Sequence, residues 1–468
     1  MRLARLVRSA VAVTVLCATI TAVSAAPQAV AVASGTDVVA IDWTKFGTYG
    51  ATDAAGVRNK KILQNAAKYL IGPKYASTYT YYMPDGYLNL GGTGESQIRY
   101  PGMSAVTGAV ALKLGVWNSP SLTAAGATIR TKNLIRTLAA RHRANNTDTA
   151  TRWGHVWQSA LWAYYDGMAA WLLWDQLSAD DRTKVAKMME SEADRLITGN
   201  DTYLIGTSGN LLYQYWRNGT DATPGDSKAE ENSWNAGLLS LAAAMMPNHA
   251  NAAKWNKRNN ELLLTAAASP ADMTNTTVVN GINPSTWLKG YNIQNDGTLQ
   301  NHSRLHPLYM VGFDQSLDEG AVYGLADKCA PRVAKHNLQY VYDALVDKKF
   351  TKSDGTQSSI YVTGSASIYY PEGNDWGSTF AGYFGAYDLL TDLYDLDTEV
   401  SVKADVWEQR HNDAQLALQA RHTDGHTYAS AAENSYGGKE ERVGVLSAHS
   451  FLALFMAKNS QGNQVCWS

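Results

Sequence analysis

Groups able to move a proton are concentrated in one short stretch, NDGTLQNHSRLHPLYM (295–310). It holds His302, Arg304, His306 and Tyr309, although the whole chain has only 10 histidines. A neutral imidazole accepts a proton and a phenol delivers one, so His302 and Tyr309 are a candidate base and acid. A free phenol titrates at about pH 10. Arg304 is therefore the cation expected to bring the pKa of Tyr309 into a useful range.

The reaction that suits these groups is β-elimination on a glycan that contains a uronic acid. A base removes the proton at C5, next to the carboxylate, and an acid protonates the leaving oxygen at C4. Hydrogen-bond donors must stabilise the developing aci form of the carboxylate, as an oxyanion hole does. Asn235, or alternatively Asn232, and Arg304 are the predicted donors. His302 and Tyr309 would share the roles of base and acid, in an order that the sequence leaves open.

Polar residues also gather in loops that precede apolar helical segments: RWGHVWQ, GDSKAEENSWN, YYPEGNDWGS and ENSYGGKEER. Such loops line the concave mouth of a helical assembly and supply candidate contacts to substrate. Tryptophan and histidine side chains there suit stacking on sugar rings. Helix capping or core packing is the alternative role for several of them. The predicted substrate-binding residues are Trp153, His155, Gln158, Glu231, Asn232, Trp234, His306, Glu372, Asn374, Asp375 and Trp376.

Carboxylates in the same loops indicate a second class of enzyme. An inverting glycoside hydrolase needs two carboxyl groups far enough apart to admit a water molecule. The candidates are Glu230 or Glu231, Asp296, Glu372 and Asp375, whose separations the sequence does not give. A carbohydrate-binding helical protein without catalysis is the third possibility. No metal and no cofactor are predicted, because the histidines lack ligand-like spacing and neither HExxH nor a glycine-rich phosphate loop occurs.

Helical periodicity dominates the elements that must position these groups. Trp157, Leu161, Tyr164 and Trp171 recur at intervals of four, three and seven residues, on one stripe of an amphipathic helix. A more charged helix follows, with Ser178 as its predicted cap. Two further helix pairs repeat this order, in which the first helix is poor in charge and the second carries the Lys, Arg and Glu residues. This asymmetry predicts an inner and an outer layer of helices.

The predicted fold class is therefore all-α, with about eleven helices. We expect an α/α toroid, an incomplete (α/α)6 barrel of helical hairpins, and an open helical solenoid is the alternative. Strand-like runs are few, and TTVVNGI, WLKGYNI and SSIYVTG are interpreted as short β-hairpin loop insertions. Residues 27–468 are expected to form a single catalytic domain.

One loop resembles a known family. Asp296-Gly297-Thr298, with His302 six residues after the aspartate, is similar to the DGS…H loop of the hyaluronate and chondroitin lyases. These are α/α-toroid polysaccharide lyases, and the heparinase II/III-like and alginate lyases share the toroid. The segment EENSWNAGLL resembles their asparagine-bearing stretch. The resemblance implies that His302 and Tyr309 match the catalytic histidine and tyrosine, and that Asn232 or Asn235 neutralises the carboxylate. Tyr309 follows His302 more closely than is usual in that family, whose C-terminal β-sandwich has no counterpart here.

Composition limits the cellular setting and the partners. Three arginines, an apolar run over 11–23 and small residues at 24–26 predict a secretory signal peptide over 1–26, and a secreted protein. Without those arginines, 37 basic residues face 42 acidic ones. That balance argues against a nucleic-acid partner, and no later stretch predicts a membrane span. The expected partner is an acidic polysaccharide or oligosaccharide. Cys329 and Cys466 are expected to form a disulfide.

Overall fold

α-Helices build most of the chain in the computed structural model, which describes residues 33–198, 225–288 and 290–468. The predicted signal peptide lies outside these residues. Residues from Ala33 onward form one compact unit. We number the described α-helices of seven or more residues α1 (Ala54–Tyr69), α2 (Glu95–Lys113), α3 (Ala124–Arg141), α4 (Ser159–Leu172), α5 (Ala179–Thr198), α6 (Ala229–Met245), α7 (Ala252–Ala266), α8 (Glu319–Leu325), α9 (Leu338–Val346), α10 (Ala381–Leu393), α11 (Ala404–Gln419) and α12 (Lys439–Lys458).

The buried helices contact one another in a fixed order. α2 packs against α4, α4 against α6, and α6 against both α8 and the short helix Asp314–Leu317. That short helix contacts α10, α10 contacts α12, and α12 contacts α2 again. All residues of α4 are buried, and Glu230 is the one residue of α6 that is not. A helix that is apolar on all sides must be covered on all sides, which explains why a second layer of helices is needed.

The more charged helices supply that second layer. α3 packs on α2, α5 on α4, α7 on α6, α11 on α10, and α1 on α12. Ser178 precedes α5 as predicted: its hydroxyl accepts the backbone N–H of Asp181 at 3.1 Å and donates to the Asp181 carboxylate at 2.7 Å. α4 begins at Ser159, later than its apolar stripe suggested. Trp157 therefore lies before the helix, with half of its surface exposed.

Strands are few and short, as predicted. The described residues contain two antiparallel hairpins, β1 (Gln300–Asn301) with β2 (Arg304–Leu305) and β3 (Phe350–Thr351) with β4 (Gln357–Ser358). Of the runs expected to form hairpins, SSIYVTG contributes its first residue to β4, and TTVVNGI contains only one isolated bridge. WLKGYNI begins with the last residue of a helical turn, Pro284–Trp287. The hairpin β1–β2 lies instead in the polar stretch that carries His302.

The C-terminal tail is fastened to the helical body. Cys329 and Cys466 form the predicted disulfide, 137 residues apart in the chain. Backbone hydrogen bonds between Ala330 and the tail residues Cys466 and Ser468 continue the attachment. Among the described helices, none combines the length and the apolar composition that crossing a bilayer requires.

Candidate active site

A cavity of about 240 Å³ opens where the polar loops meet the ends of the inner helices. Its wall is contributed by α2, the loop before α4 and the start of that helix, the first two turns of α6, the hairpin β1–β2 with the segment after it, the start of α10 with the loop before it, and the start of α12 with the loop before it. Aromatic rings and charged groups are mixed on this wall, as in a site for a polar ring-shaped ligand. The lining residues that carry polar or aromatic groups are Glu95, Arg99, Trp157, Gln158, Tyr165, Glu230, Trp234, His302, Tyr309, Gln315, Trp376, Tyr383, Tyr436 and Arg442.

His302 is held at the turn of the hairpin β1–β2 in a backbone conformation that few residues adopt. Its φ is 51° and that of Ser303 is 59°, both in the left-handed region. The ring has hydrogen-bond partners on both sides. Nδ1 lies 2.6 Å from Oδ2 of Asp375, and Nε2 lies 3.0 Å from the hydroxyl of Tyr309. A carboxylate only accepts, so Nδ1 carries a proton, and in the neutral imidazole Nε2 then accepts the hydrogen bond from the phenol.

Asp375 joins two histidines. Its second oxygen, Oδ1, lies 3.1 Å from Nε2 of His306, whose side chain is completely buried. Burial lowers the pKa of His306 to about 4, against the opposing effect of Asp375. Burial also acts to raise the pKa of Asp375, but hydrogen bonds from both histidines outweigh it and hold that pKa below its usual value. A neutral His306 thus anchors an ionised Asp375, which in turn fixes the tautomer of His302.

Tyr309 faces the cavity from the helical turn Pro307–Met310. Its ring stacks on Trp376, with centroids 5.8 Å apart. Burial, reinforced by the nearby Glu230 carboxyl, raises the pKa of the phenol above its usual value. The expected lowering of this pKa by Arg304 is therefore wrong. The Arg304 side chain lies outside the cavity wall, with Nε 3.4 Å from the backbone oxygen of His302.

Two other arginines supply the positive charge of the cavity. Arg99, on α2, is 6% exposed and contacts Glu95 at 2.6 Å, the Gln158 amide oxygen at 3.3 Å and the backbone oxygen of Gly437 at 3.2 Å. Arg442, on α12, donates to both oxygens of Asp314 at 3.1 and 3.0 Å. Burial opposes the charge of Arg442, but Asp314 outweighs it and raises the pKa of the guanidinium. Both side chains therefore present fixed cations to the cavity.

The structure brings together only part of the predicted site. Gln158, Trp234, His302, Tyr309 and Trp376 all lie on the cavity wall. Asp375 and His306 lie directly behind His302. Asp375 contacts His302, and His306 contacts Asp375.

The predicted asparagines lie elsewhere. Asn232 and Asn235 are buried within α6 and are not among the lining residues, because the cavity side of this helix carries Glu230 and Trp234, four residues apart. Glu231 is also buried, and its nearest cation is Lys228 at 3.4 Å.

The remaining predicted contacts have structural partners. The Trp153 indole N–H donates to the backbone oxygen of Leu138, and the imidazole of His155 lies 2.9 Å from the Ser191 hydroxyl. Glu372 accepts the backbone N–H of Leu305, which ties the loop before α10 to the hairpin. Asn374 donates to the backbone oxygen of Gly377 and so shapes the turn that carries Asp375. None of these four predicted residues lines the cavity.

Several lining residues were not predicted individually. Tyr436 and Arg442 belong to the polar loop ENSYGGKEER, which the sequence did single out. Glu95 and Arg99 begin α2, where a salt bridge at helical spacing looks like ordinary surface chemistry. Their position at the cavity follows from the packing of α2 between α4 and α12, which no local pattern reveals.

His302, His306 and Asp375 are also the described residues grouped closely enough to hold a metal ion, with one atom from each lying within 4.8 Å of the others. His302 and His306 are four residues apart, but Asp375 lies 73 residues beyond His302, so no local motif contains all three groups.

Comparison with protein-family models, curated proteins and solved structures gave no significant match.

Proposed function

We propose that this protein is a secreted polysaccharide lyase that cleaves a uronic-acid glycan by β-elimination. One observation carries the proposal: the hydroxyl of Tyr309 donates to Nε2 of His302, and Nδ1 of His302 donates to Asp375. This chain of hydrogen bonds leaves one unprotonated nitrogen and one protonated phenol side by side on a cavity wall. Elimination next to a carboxylate needs a base and an acid of this kind.

The roles follow from the direction of these hydrogen bonds. His302, whose Nε2 carries no proton, is the base that removes the C5 proton once the Tyr309 hydroxyl turns from Nε2 to the O4 leaving group. Asp375 stabilises the imidazolium that forms, as the carboxylate of a catalytic triad does. Tyr309, whose phenol stays protonated, delivers its proton to the O4 leaving group, and the imidazolium can reprotonate it. Arg99 and Arg442, in place of the asparagines and Arg304, bind the substrate carboxylate and stabilise its aci form.

The closeness of base and acid also suggests the substrate stereochemistry. His302 and Tyr309 are 3.0 Å apart, so both act from one side of the sugar ring. In 4-linked D-glucuronate and D-mannuronate, the C5 proton and O4 lie on the same face. In iduronate, guluronate and galacturonate they lie on opposite faces. We therefore propose a preference for the first group.

The scaffold proposed for this site is an α/α toroid. The closed order of contacts α2, α4, α6, Asp314–Leu317, α10, α12 and α2 supports an inner ring, and the partner helices on five of these six members support an outer one. The exposed Trp157 and the adjacent Trp234, with ring centroids 5.9 Å apart, would stack on sugar rings beside the reacting residue.

The decisive experiment is a substrate panel with two readouts. The mature protein is incubated with glucuronate, mannuronate, iduronate, guluronate and galacturonate polymers, and ultraviolet absorbance and reducing ends are followed together. The proposal expects both signals to rise in parallel on a glucuronate or mannuronate polymer, because each elimination forms one conjugated double bond. No new absorbance on any acidic polymer contradicts it.

An inverting glycoside hydrolase is the second candidate, favoured by two carboxyl groups on the same wall, Glu95 and Glu230. Of the carboxylates suggested by the sequence, Asp296 is paired with Lys348 and lies outside the wall. Glu372 and Asp375 also lie outside it. Reducing ends that appear without ultraviolet absorbance would support hydrolysis.

A further inference from the structure

A metal site and the proposed general base share one side chain. We infer that His302, His306 and Asp375 bind a divalent transition-metal ion such as Zn²⁺, and that the bound ion switches off His302 as a base. The binding itself is independent of the proposed function, and only its inhibitory effect rests on it. Two imidazole nitrogens and one carboxylate form a ligand set that binds zinc in preference to magnesium or calcium, because those two ions take oxygen ligands.

The geometry needs little change to accept an ion. One atom from each residue lies within 4.8 Å of the others, and the shortest pair, His302 Nδ1 with Asp375 Oδ2, is 2.6 Å apart. Ligand atoms around a tetrahedral zinc lie roughly 3.3 Å apart. This pair therefore has to separate by less than one ångström, and the widest pair, at most 4.8 Å apart, has to close by up to about 1.5 Å. His302 lines the cavity, and about a third of the Asp375 side chain is exposed, so an ion and a fourth ligand can enter from solvent.

Binding at this point changes which nitrogen of His302 carries the proton. In the metal-free protein Nδ1 carries it, and Nε2 accepts from Tyr309. An ion on Nδ1 displaces that proton, and the neutral imidazole then carries a proton on Nε2 instead. The hydrogen bond to Tyr309 reverses, with Nε2–H donating to the phenol oxygen. No lone pair remains on His302 to accept the C5 proton of a substrate.

The second histidine follows the same rule. Nε2 of His306 faces Asp375, whereas its Nδ1 is buried and has no hydrogen-bond partner within the described residues. An ion on Nε2 moves the proton to Nδ1, so the ring stays neutral in both states. Metal binding therefore leaves both imidazoles neutral, and it replaces the two hydrogen bonds to Asp375 with three coordinate bonds, one from each residue.

Calorimetry and histidine NMR on the mature, chelator-treated protein test this inference without any substrate. Titration with Zn²⁺ should show one ion per chain, and isotope-labelled histidine should show the His302 proton moving from Nδ1 to Nε2. Asp375→Asn and His302→Gln should each weaken binding by at least about tenfold. The matched control is Asp424→Asn. The Asp424 carboxylate lies 2.5 Å from Nδ1 of His426, a comparable aspartate–histidine pair at a partly exposed position outside the cavity.

The outcomes separate the two proposals. Absence of stoichiometric Zn²⁺ binding, or unchanged affinity in both Asp375→Asn and His302→Gln, overturns the metal site. Full elimination activity in the zinc-loaded protein overturns the inhibitory effect. Lack of elimination on every glycan overturns the lyase proposal alone, since the calorimetric result does not depend on turnover.

Discussion

Nδ1 of His302 lies 2.6 Å from Oδ2 of Asp375, although 73 residues separate them in the chain. The contact links the hairpin β1–β2 to the loop before α10. It determines the tautomer of the imidazole and leaves Nε2 facing Tyr309 in the cavity. The proposed chemistry depends on this orientation.

Asp375→Asn should reduce kcat by about 10²- to 10⁴-fold, with a smaller effect on KM. An amide can donate to Nδ1 as well as accept from it, so the tautomer with a free Nε2 is no longer enforced. Steady-state kinetics on the preferred glycan measures the effect. Asp424→Asn, which alters the equivalent pair with His426, should retain full activity. Equal kcat in the two variants would remove Asp375 from the mechanism.

Tyr309→Phe should abolish most elimination while the fold is kept, with a loss of about 10²-fold or more in kcat. The variant retains the ring that stacks on Trp376 and lacks only the hydroxyl that donates to His302. Ultraviolet absorbance measures the rate, and circular dichroism checks folding. Tyr81→Phe, at an exposed tyrosine outside the cavity, is the control. A fully active Tyr309→Phe protein would require another acid.

Arg99→Gln should raise KM for the acidic glycan by about 10- to 100-fold, because a charge-assisted hydrogen bond to the carboxylate is lost. The wild-type KM should also rise with salt, and the variant should respond less. Arg421→Gln removes a comparable arginine–glutamate pair, with Glu433, outside the cavity, and should leave KM unchanged. If KM of Arg99→Gln stays at the wild-type value, the carboxylate binds elsewhere.

Glu319→Gln should remove a pH dependence of stability. Burial raises the pKa of Glu319 from 4.5 to about 8, while its hydrogen bond from Asn259 opposes the shift. The folded protein thus holds a proton that the unfolded chain releases above about pH 4.5, so this group lowers the free energy of unfolding as pH rises towards 8.

The glutamine variant has no such titration. Its stability relative to wild type should increase between pH 5 and pH 8 by an amount on the order of 3 kcal/mol. Urea unfolding at several pH values measures this change. Glu399→Gln, at an exposed position, should show no comparable trend. A flat difference between wild type and Glu319→Gln across this range would mean that Glu319 is ionised in the fold.

The sequence by itself determined the helical class, the alternation of apolar and charged helices, and the pairing of Cys329 with Cys466. The helical features follow from local periodicity, because each helix must bury its own apolar face. The disulfide follows from composition, because only two cysteines remain outside the predicted signal peptide. The sequence also placed His302 and Tyr309 close together, since seven residues across a hairpin and one helical turn keep two side chains near each other. The cap at Ser178 was visible for the same reason: its partners are three residues away.

The tertiary structure decided which distant residues share the cavity. Asn235 and Trp234 are neighbours in sequence, yet the rotation of α6 turns only Trp234 towards the cavity. Arg99 and Arg442, rather than Arg304, supply the cations, because α2 and α12 pack side by side. The link from Asp375 to both histidines has no local signature. Helical periodicity fixes which side of a helix is apolar, but the direction in which its few polar groups point depends on packing between elements far apart in the chain.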